Sequence, residues 1–169
     1  MASSISERIG DQRGSVWLLA LLAVAPVIAA SYVGSSVTTP NLAPWYAALT
    51  KPWFTPANSV FAPVWAALYA LMAYAAWRIL HQRPQAAWRS EALVLFYGQL
   101  AVNCTWSIAF FGMRSPGLGV AVIVLLFALI AITMTIFAQV DKIACWLLAP
   151  YLLWVGFAML LNVEIWRLN

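Results

Sequence analysis

Charged residues are scarce in this sequence. Only 8% of its 169 residues are Asp, Glu, Lys or Arg, whereas 64% are hydrophobic, and the mean hydropathy is +0.86. Soluble domains carry about 25% charged residues, so this composition excludes a soluble globular protein. Histidine occurs once and cysteine twice, and neither shows the spacing of a zinc site or a disulfide framework. We therefore expect an integral membrane protein with no bound metal and no disulfide.

The few charged residues lie between long apolar runs. Five runs approach the ~20 residues that a helix needs to cross ~30 Å of hydrocarbon. They lack the alternation of barrel strands, and a spanning backbone must satisfy its own hydrogen bonds, so the runs predict helices. The predicted fold is all-α, a single bundle of five transmembrane helices at residues 16–168 that follows a polar segment at residues 1–15. The helices are expected at about residues 16–37, 58–77, 92–113, 117–140 and 143–163.

Asp, Glu, Lys, Arg and His are absent from all five predicted spans. Proton relays, pumps and voltage sensors need such groups inside the membrane, so we do not expect coupled transport. The one histidine, His81, lies in the second loop, far from any Ser or Cys nucleophile, and no acid–base catalytic constellation is present. The nine basic residues are scattered at helix ends, which argues against nucleic-acid binding.

The two sides of the predicted bundle differ in basic residues. The side that holds the N-terminus carries six of them, and the opposite side carries Lys51, Arg114 and Arg167. Because cytoplasmic loops have an excess of Lys and Arg, this distribution predicts a cytoplasmic N-terminus. The alternative for the first span is a cleaved signal peptide, but the apolar run continues through Tyr32 and Val33 to the length of a spanning helix.

The first loop, residues 38–57, is unusually apolar for a connection. It contains four prolines and four aromatic residues, among them Trp45 and Tyr46. Pro44 at a first helical position favours one or two helical turns over residues 44–49. We expect this segment to lie on the mouth of the bundle as a lid.

Ten tryptophans occur in the chain. Five of them lie at span ends, where interfacial anchoring explains them. The other five lie elsewhere and need another explanation. Counting ~1.5 Å per residue from the face of the first loop places Trp65, Trp106, Trp154 and Asn103 in one layer, roughly 10–15 Å deep. Two interpretations are open: these residues fill the bundle core, or they line a pocket with apolar walls and few polar groups. Helical spacing extends the layer into three stripes: Trp65, Tyr69 and Met72; Gln99, Asn103 and Trp106; Trp154, Ala158 and Asn162.

Small residues recur at four-residue spacing in the third span, at Ala101, Thr105 and Ala109. Such spacing permits close approach of two helices. The neighbour is either another helix of the same bundle or the third span of a second copy, so these residues are a candidate dimer interface.

A series of motifs runs in order through the chain. They are Trp45-Tyr46, Leu49, Lys51-Pro52, Pro56, Pro63-Val64-Trp65, Leu68-Tyr69, Gln99-Leu100, Asn103, Trp106, Phe110-Phe111, Pro150-Tyr151, Trp154 and Leu161-Asn162. In order and spacing they resemble the TspO family, the tryptophan-rich sensory proteins related to the mitochondrial translocator protein. The resemblance covers about residues 16–168. It implies a five-helix membrane protein, commonly a homodimer, that binds porphyrins such as protoporphyrin IX and haem and, in many members, cholesterol-like and benzodiazepine-type ligands.

The resemblance also implies roles for individual residues. Trp65 and Asn103 match the positions that hydrogen-bond the ligand. The positions that match pocket walls are Tyr69, Trp106, Trp154 and Ala158. Trp45 and Tyr46 match the lid. The cholesterol-recognition pattern of animal members needs a Lys or Arg soon after the tyrosine of the fifth helix. None follows Tyr151 within five residues, so the resemblance does not extend to specific sterol binding.

The favoured function is a receptor or sensor that binds a porphyrin under the first loop and regulates tetrapyrrole or stress responses, with no cofactor required. A second hypothesis is enzymatic, because some family members are reported to degrade protoporphyrin under light. That reaction could proceed through tryptophan radicals without any acid–base residue, and Trp65 and Trp154 would carry it. A third hypothesis is uncoupled passage of porphyrin or lipid across the membrane.

Overall fold

The computed structural model describes residues 2–169, with side chains from residue 16 onward, so the side chains of the predicted polar segment lie outside the described part. No strand occurs among the described residues. The five stretches long and apolar enough to cross a membrane are Val16–Tyr46, Asn58–Leu80, Arg89–Gly112, Pro116–Val140 and Lys142–Leu168, which confirms the predicted all-α fold of five spanning helices. The helices are α1 (Ala2–Asn41), α2 (Asn58–Leu80), α3 (Arg89–Ser107), α4 (Pro116–Val140), α5 (Lys142–Leu147) and α6 (Ala149–Leu168).

Several helices end a few residues beyond the predicted spans. The spans are predicted from apolar runs, and a helix can continue past the last apolar residue. α1 reaches Asn41 and α2 reaches Leu80. The fifth span is divided at Leu148 into α5 and α6, and Pro150 lies in the first turn of α6. Proline has no N–H to donate, and only the first turn of a helix tolerates that loss. The break in the fifth span therefore follows from the position of this proline.

The first loop begins with a kink at Ala43 (φ −131°, ψ 135°), in the extended conformation that a residue before proline favours. The backbone from Pro44 to Ala48 is helical, as predicted for residues 44–49. At the far end of this segment, the Thr50 N–H donates to the side-chain oxygen of Asn169 at 2.9 Å, and the Asn169 amide donates to the Thr50 carbonyl at 3.0 Å. Two hydrogen bonds thus hold the loop against the end of α6.

α3 continues into a π-type turn, Ile108–Gly112. Such a turn contains an extra residue, so the side chains that follow are rotated relative to an α-helix. As a result, three consecutive residues, Ala109, Phe110 and Phe111, are buried at 5%, 2% and 8% exposure. This corrects one member of the candidate dimer interface: Ala101 and Thr105 are exposed, but Ala109 packs inside the bundle and the exposed face continues through Ile108.

Asp141 fixes the turn between α4 and α5. Its carboxylate accepts the backbone N–H groups of Ile143 at 2.8 Å and Ala144 at 3.2 Å, and it pairs with the Arg78 guanidinium of α2 at 2.8 Å. Burial by itself would raise the pKa of the Asp141 carboxyl, but the two N–H groups and Arg78 lower it overall. The carboxylate therefore caps one helix and ties it to another.

We expect Asp141→Ala to lower the free energy of unfolding by about 1–3 kcal/mol, because it removes both the cap and the ion pair. Asp141→Asn should cost less, since asparagine is as good an N-cap. Because the pKa of the folded carboxyl is lowered, its contribution is complete above the ordinary value of ~3.9 and is lost as the pH falls below it. Thermal unfolding in nanodiscs as a function of pH tests this, and equal stability of wild type and both variants at pH 7 would contradict it.

Candidate functional site

A cavity of about 300 Å³ lies beneath the first loop. Its walls come from α1, α2, α3, the π-type turn and α6, so four of the five spans contribute to it. The lining residues are Ser31, Gly34, Ser35, Thr38, Thr39, Leu42, Tyr46, Asn58, Phe61, Ala62, Trp65, Ala66, Tyr69, Asn103, Trp106, Ser107, Phe110, Phe111, Ala158, Leu161, Asn162 and Ile165.

Most of the residues predicted to contact a ligand meet in this cavity. Those that line it are Tyr46, Trp65, Tyr69, Asn103, Trp106 and Ala158. They come from the first loop, α2, α3 and α6, which are far apart in sequence. Their role in binding stays a prediction, but the structure brings them to one place.

Trp154 does not line the cavity, in contrast to its predicted position in the pocket wall. Its ring packs against Phe61 at 5.8 Å and Phe157 at 5.6 Å between centroids, and its indole N–H is buried with no hydrogen-bond partner. Phe61 itself lines the cavity. Trp154 therefore packs behind the cavity wall. Its depth in the bundle does not determine the direction in which its side chain points.

The two aromatic residues predicted for the lid take different positions. Tyr46 is 4% exposed and lines the cavity. Trp45 does not line it; its ring lies edge-on to Phe110 at 5.6 Å and Phe111 at 6.2 Å between centroids. Aromatic pairs favour such edge contacts. Trp45 thus packs the loop onto the π-type turn, and only Tyr46 faces the space below.

A chain of hydrogen bonds between buried and half-buried side chains joins α2, α3 and α6 at the wall of the cavity. The Tyr69 hydroxyl donates to Asn103 Oδ1 at 3.1 Å, Asn103 Nδ2 donates to the Tyr151 hydroxyl at 3.0 Å, and Tyr151 donates to Gln99 Oε1 at 3.1 Å. Tyr151 is fully buried, and Gln99 Nε2 has no partner. Since buried polar groups are costly unless paired, this chain restricts the orientation of Asn103, the member that reaches the cavity together with Tyr69.

A second pair of polar side chains, Trp106 and Asn162, also lines the cavity. The Trp106 indole N–H donates to Asn162 Oδ1 at 3.1 Å, and Asn162 Nδ2 donates to the Pro116 carbonyl at 2.9 Å. Trp106 also stacks on Phe110, at 5.6 Å and an interplanar angle of 23°. Asn162 was recognised in a stripe of α6 but was not assigned to the site, although it lines the cavity.

The sequence analysis missed the contribution of α1. Ser31, Gly34, Ser35 and Thr38 line the cavity at the three- and four-residue spacing of one helical face. Small and hydroxylated residues at that spacing were the available signal. Aromatic and amide side chains are the more obvious signal of such a pocket, and the face of α1 that lines the cavity carries neither.

No charged side chain is among the residues that line the cavity, and the described residues contain no group of three His, Cys, Asp or Glu side chains that could hold a metal ion. The walls offer aromatic faces, three amides and several hydroxyls. Such a surface can hold a flat, largely apolar molecule by ring contacts and orient it with a few hydrogen bonds.

Comparison with known proteins identifies the family. The TspO/MBR family matches residues 22–167 of this chain. Tryptophan-rich protein TspO of Chlorobaculum tepidum is 42% identical over 149 residues, which cover 88% of this chain and 94% of the relative. The tryptophan-rich sensory protein of Cereibacter sphaeroides is 40% identical, over 74% and 77% of the two chains, and translocator protein of Homo sapiens is 36% identical, over 82% of each. This chain, a multi-pass integral membrane protein, belongs to the TspO/MBR family.

Proposed function

We propose that this protein is a membrane receptor or sensor that binds porphyrins, such as protoporphyrin IX or haem, in the cavity beneath the first loop. Occupancy of the cavity would regulate tetrapyrrole or stress responses. The observation that supports the proposal is the composition of the cavity wall. The rings of Trp65, Tyr69 and Trp106 line the cavity together with the amides of Asn103 and Asn162. Relatives named as a sensory protein and a translocator protein are consistent with a binding role.

A porphyrin is a flat aromatic macrocycle, so it matches walls that are mostly aromatic. Each favourable ring contact adds ~0.5–1.5 kcal/mol beyond the burial of apolar surface. The volume of about 300 Å³ lies at the lower end of the range for ligand pockets, ~300–1,000 Å³. A bound porphyrin would therefore fill the cavity.

We expect protoporphyrin IX to quench the tryptophan fluorescence of the protein saturably in nanodiscs in the dark. Trp65→Phe should weaken binding about 2- to 12-fold, because one ring contact is reduced. Trp146→Phe is the matched control, since Trp146 is 73% exposed and does not line the cavity. Absence of saturable quenching in wild type, or an equal loss in both variants, would contradict the proposal.

A light-dependent enzyme is the second candidate, favoured by oxidisable rings in contact beside the cavity. Trp65 lies 5.4 Å from Tyr69 and 6.2 Å from Tyr151 between ring centroids. Illumination of the same porphyrin-loaded samples with oxygen present distinguishes the two functions. A porphyrin that stays intact supports a sensor, whereas porphyrin loss that requires Trp65 indicates an enzyme.

The proposal includes a cytoplasmic N-terminus and a homodimer. The exposed face of α3 offers Ala101 and Thr105. Small side chains on an exposed face allow a second helix to approach closely. Uncoupled transfer of porphyrin or lipid is the remaining alternative, and proteoliposomes without protein-dependent flux would exclude it.

A further inference from the structure

We infer that ligands enter the cavity sideways from the lipid bilayer, through a slot between α1 and α2, while the first loop remains closed. This inference rests on the proposed ligand-binding function of the cavity. It adds the route of entry and a ligand class: amphiphiles that partition into the membrane, with their polar groups toward the loop end and their apolar part toward the bilayer centre.

The first loop closes the cavity from above. Tyr46 is buried above the cavity against Phe111, at 5.6 Å between ring centroids. The Lys51 ammonium group lies 4.7 Å from the centroid of the Tyr46 ring and donates to the carbonyl of Leu49 at 3.1 Å. The two hydrogen bonds between Thr50 and Asn169 hold this part of the loop against the end of α6. Entry at this end would require these contacts to break together.

The side of the cavity between α1 and α2 is open. The lining residues that are themselves exposed are Ser35 and Thr39 of α1 and Asn58, Ala62 and Ala66 of α2. Every lining residue from α3, the π-type turn and α6 is buried or half-buried. The cavity therefore reaches the surface of the described chain along this one seam, and small side chains on both helices leave the gap.

The slot extends far enough along the helices to face hydrocarbon. Ala66 lies eight residues after the start of α2 at Asn58, a rise of roughly 12 Å along the helix. A shallow apolar groove of about 240 Å³ continues from there along α1 and α2, past Val27 and Ala70, and shares Ser31, Ala66 and Tyr69 with the cavity. A continuous apolar surface thus leads from the lipid-facing exterior to the Tyr69–Asn103 hydrogen bond.

The polarity of the slot indicates how its ligand is oriented. The loop end offers the hydroxyls of Thr38 and Thr39 and the amide of Asn58, whereas the deep end is formed by Ala66, Ala70 and Val27. An apolar group that moves from lipid into this deep end is hardly exposed to water. This transfer therefore adds little to the free-energy barrier for entry. A charged group at the same depth would be costly.

The test measures binding rates of lipid-dissolved protoporphyrin IX by stopped-flow tryptophan quenching in nanodiscs. Ala66→Phe fills the slot from α2 and Ser35→Phe fills it from α1, so that one variant serves if the other misfolds. The controls are Ala67→Phe and Ser36→Phe, which change neighbouring exposed residues that do not line the cavity. Asn169→Ala releases the loop without touching the slot.

We expect each slot variant to lower both the association and the dissociation rate constant about tenfold, because a blocked route slows movement in both directions, whereas a variant that only weakens binding would raise the dissociation rate constant. The two controls and Asn169→Ala should keep wild-type rates. If the slot variants keep wild-type rates, or if Asn169→Ala raises both rate constants, entry occurs at the loop and the inference is wrong. Failure of the proposed function gives a different result, since wild type itself would then show no saturable quenching.

Discussion

Gly119→Ala is expected to weaken porphyrin binding more than tenfold. A Cβ on Gly119 of α4 would lie 2.7 Å from Asn162 Oδ1 and 2.8 Å from Phe110 Cδ2, both distances that real contacts essentially never show. Asn162 and Phe110 are almost fully buried, so they can yield only by moving into the cavity. The displaced Asn162 would also lose its hydrogen bond to Trp106.

The same substitution should destabilise the protein, because overpacking a close-packed core costs about 1–3 kcal/mol. Gly98→Ala is the matched control: it makes the same change on an exposed face of α3 with no atom within 4 Å. It should leave binding unchanged and stabilise the helix by up to ~1 kcal/mol. Quenching titrations and thermal unfolding in nanodiscs measure both quantities. Wild-type affinity of Gly119→Ala would show that Asn162 and Phe110 are not part of the binding site.

The sequence predicts the depth of a membrane residue better than the direction in which it points. Counting from the helix ends placed Trp65, Asn103 and Trp106 in one layer, and all three line the cavity. The same count included Trp154, whose ring instead packs behind the wall against Phe61. Spans that are apolar on all sides have no hydrophobic stripe that fixes their rotation, so packing between helices determines it.

Two further features could not be read from local pattern. An α-helical register cannot bury Phe110 and Phe111 together with Ala109, and only the π-type turn at the end of α3 brings all three inside. Tyr151 belongs to the Pro150-Tyr151 motif, but no sequence pattern assigns it to the site, yet it is fully buried and joins Asn103 to Gln99. Both features depend on contacts between helices, which a single sequence does not display.

The buried hydrogen bonds explain why Asn103 is the sensitive position of the site. Asn103 is 2% exposed and is the only lining residue that bonds both Tyr69 and Tyr151. An amide carbonyl has two lone pairs, so Oδ1 can accept the Tyr69 hydroxyl and still face a donor on a ligand. A porphyrin with N–H groups would find its polar partner here.

We therefore expect Asn103→Leu, which keeps the approximate size of the side chain, to weaken protoporphyrin IX binding at least tenfold. The free energy of unfolding should fall by about 1–2 kcal/mol, because the Tyr69 hydroxyl and Tyr151 each lose a partner. Thr133→Val is the control for loss of a buried hydrogen bond, since Thr133 donates only to the Leu129 carbonyl of its own helix. Equal affinity of Asn103→Leu and wild type would remove Asn103 from the proposed site.

A double-mutant cycle separates the binding role of Asn103 from its structural role. If the Tyr69–Asn103 hydrogen bond orients the amide, Tyr69→Phe and Asn103→Leu should be non-additive in stability, with a coupling of about 0.5–1.5 kcal/mol. Tyr97→Phe makes the same change at a hydroxyl that donates to the Leu22 carbonyl at 3.0 Å, and it should be additive with Asn103→Leu. In binding, Tyr69→Phe should have a smaller effect than Asn103→Leu, because the amide remains available to the ligand when only its orienting partner is lost.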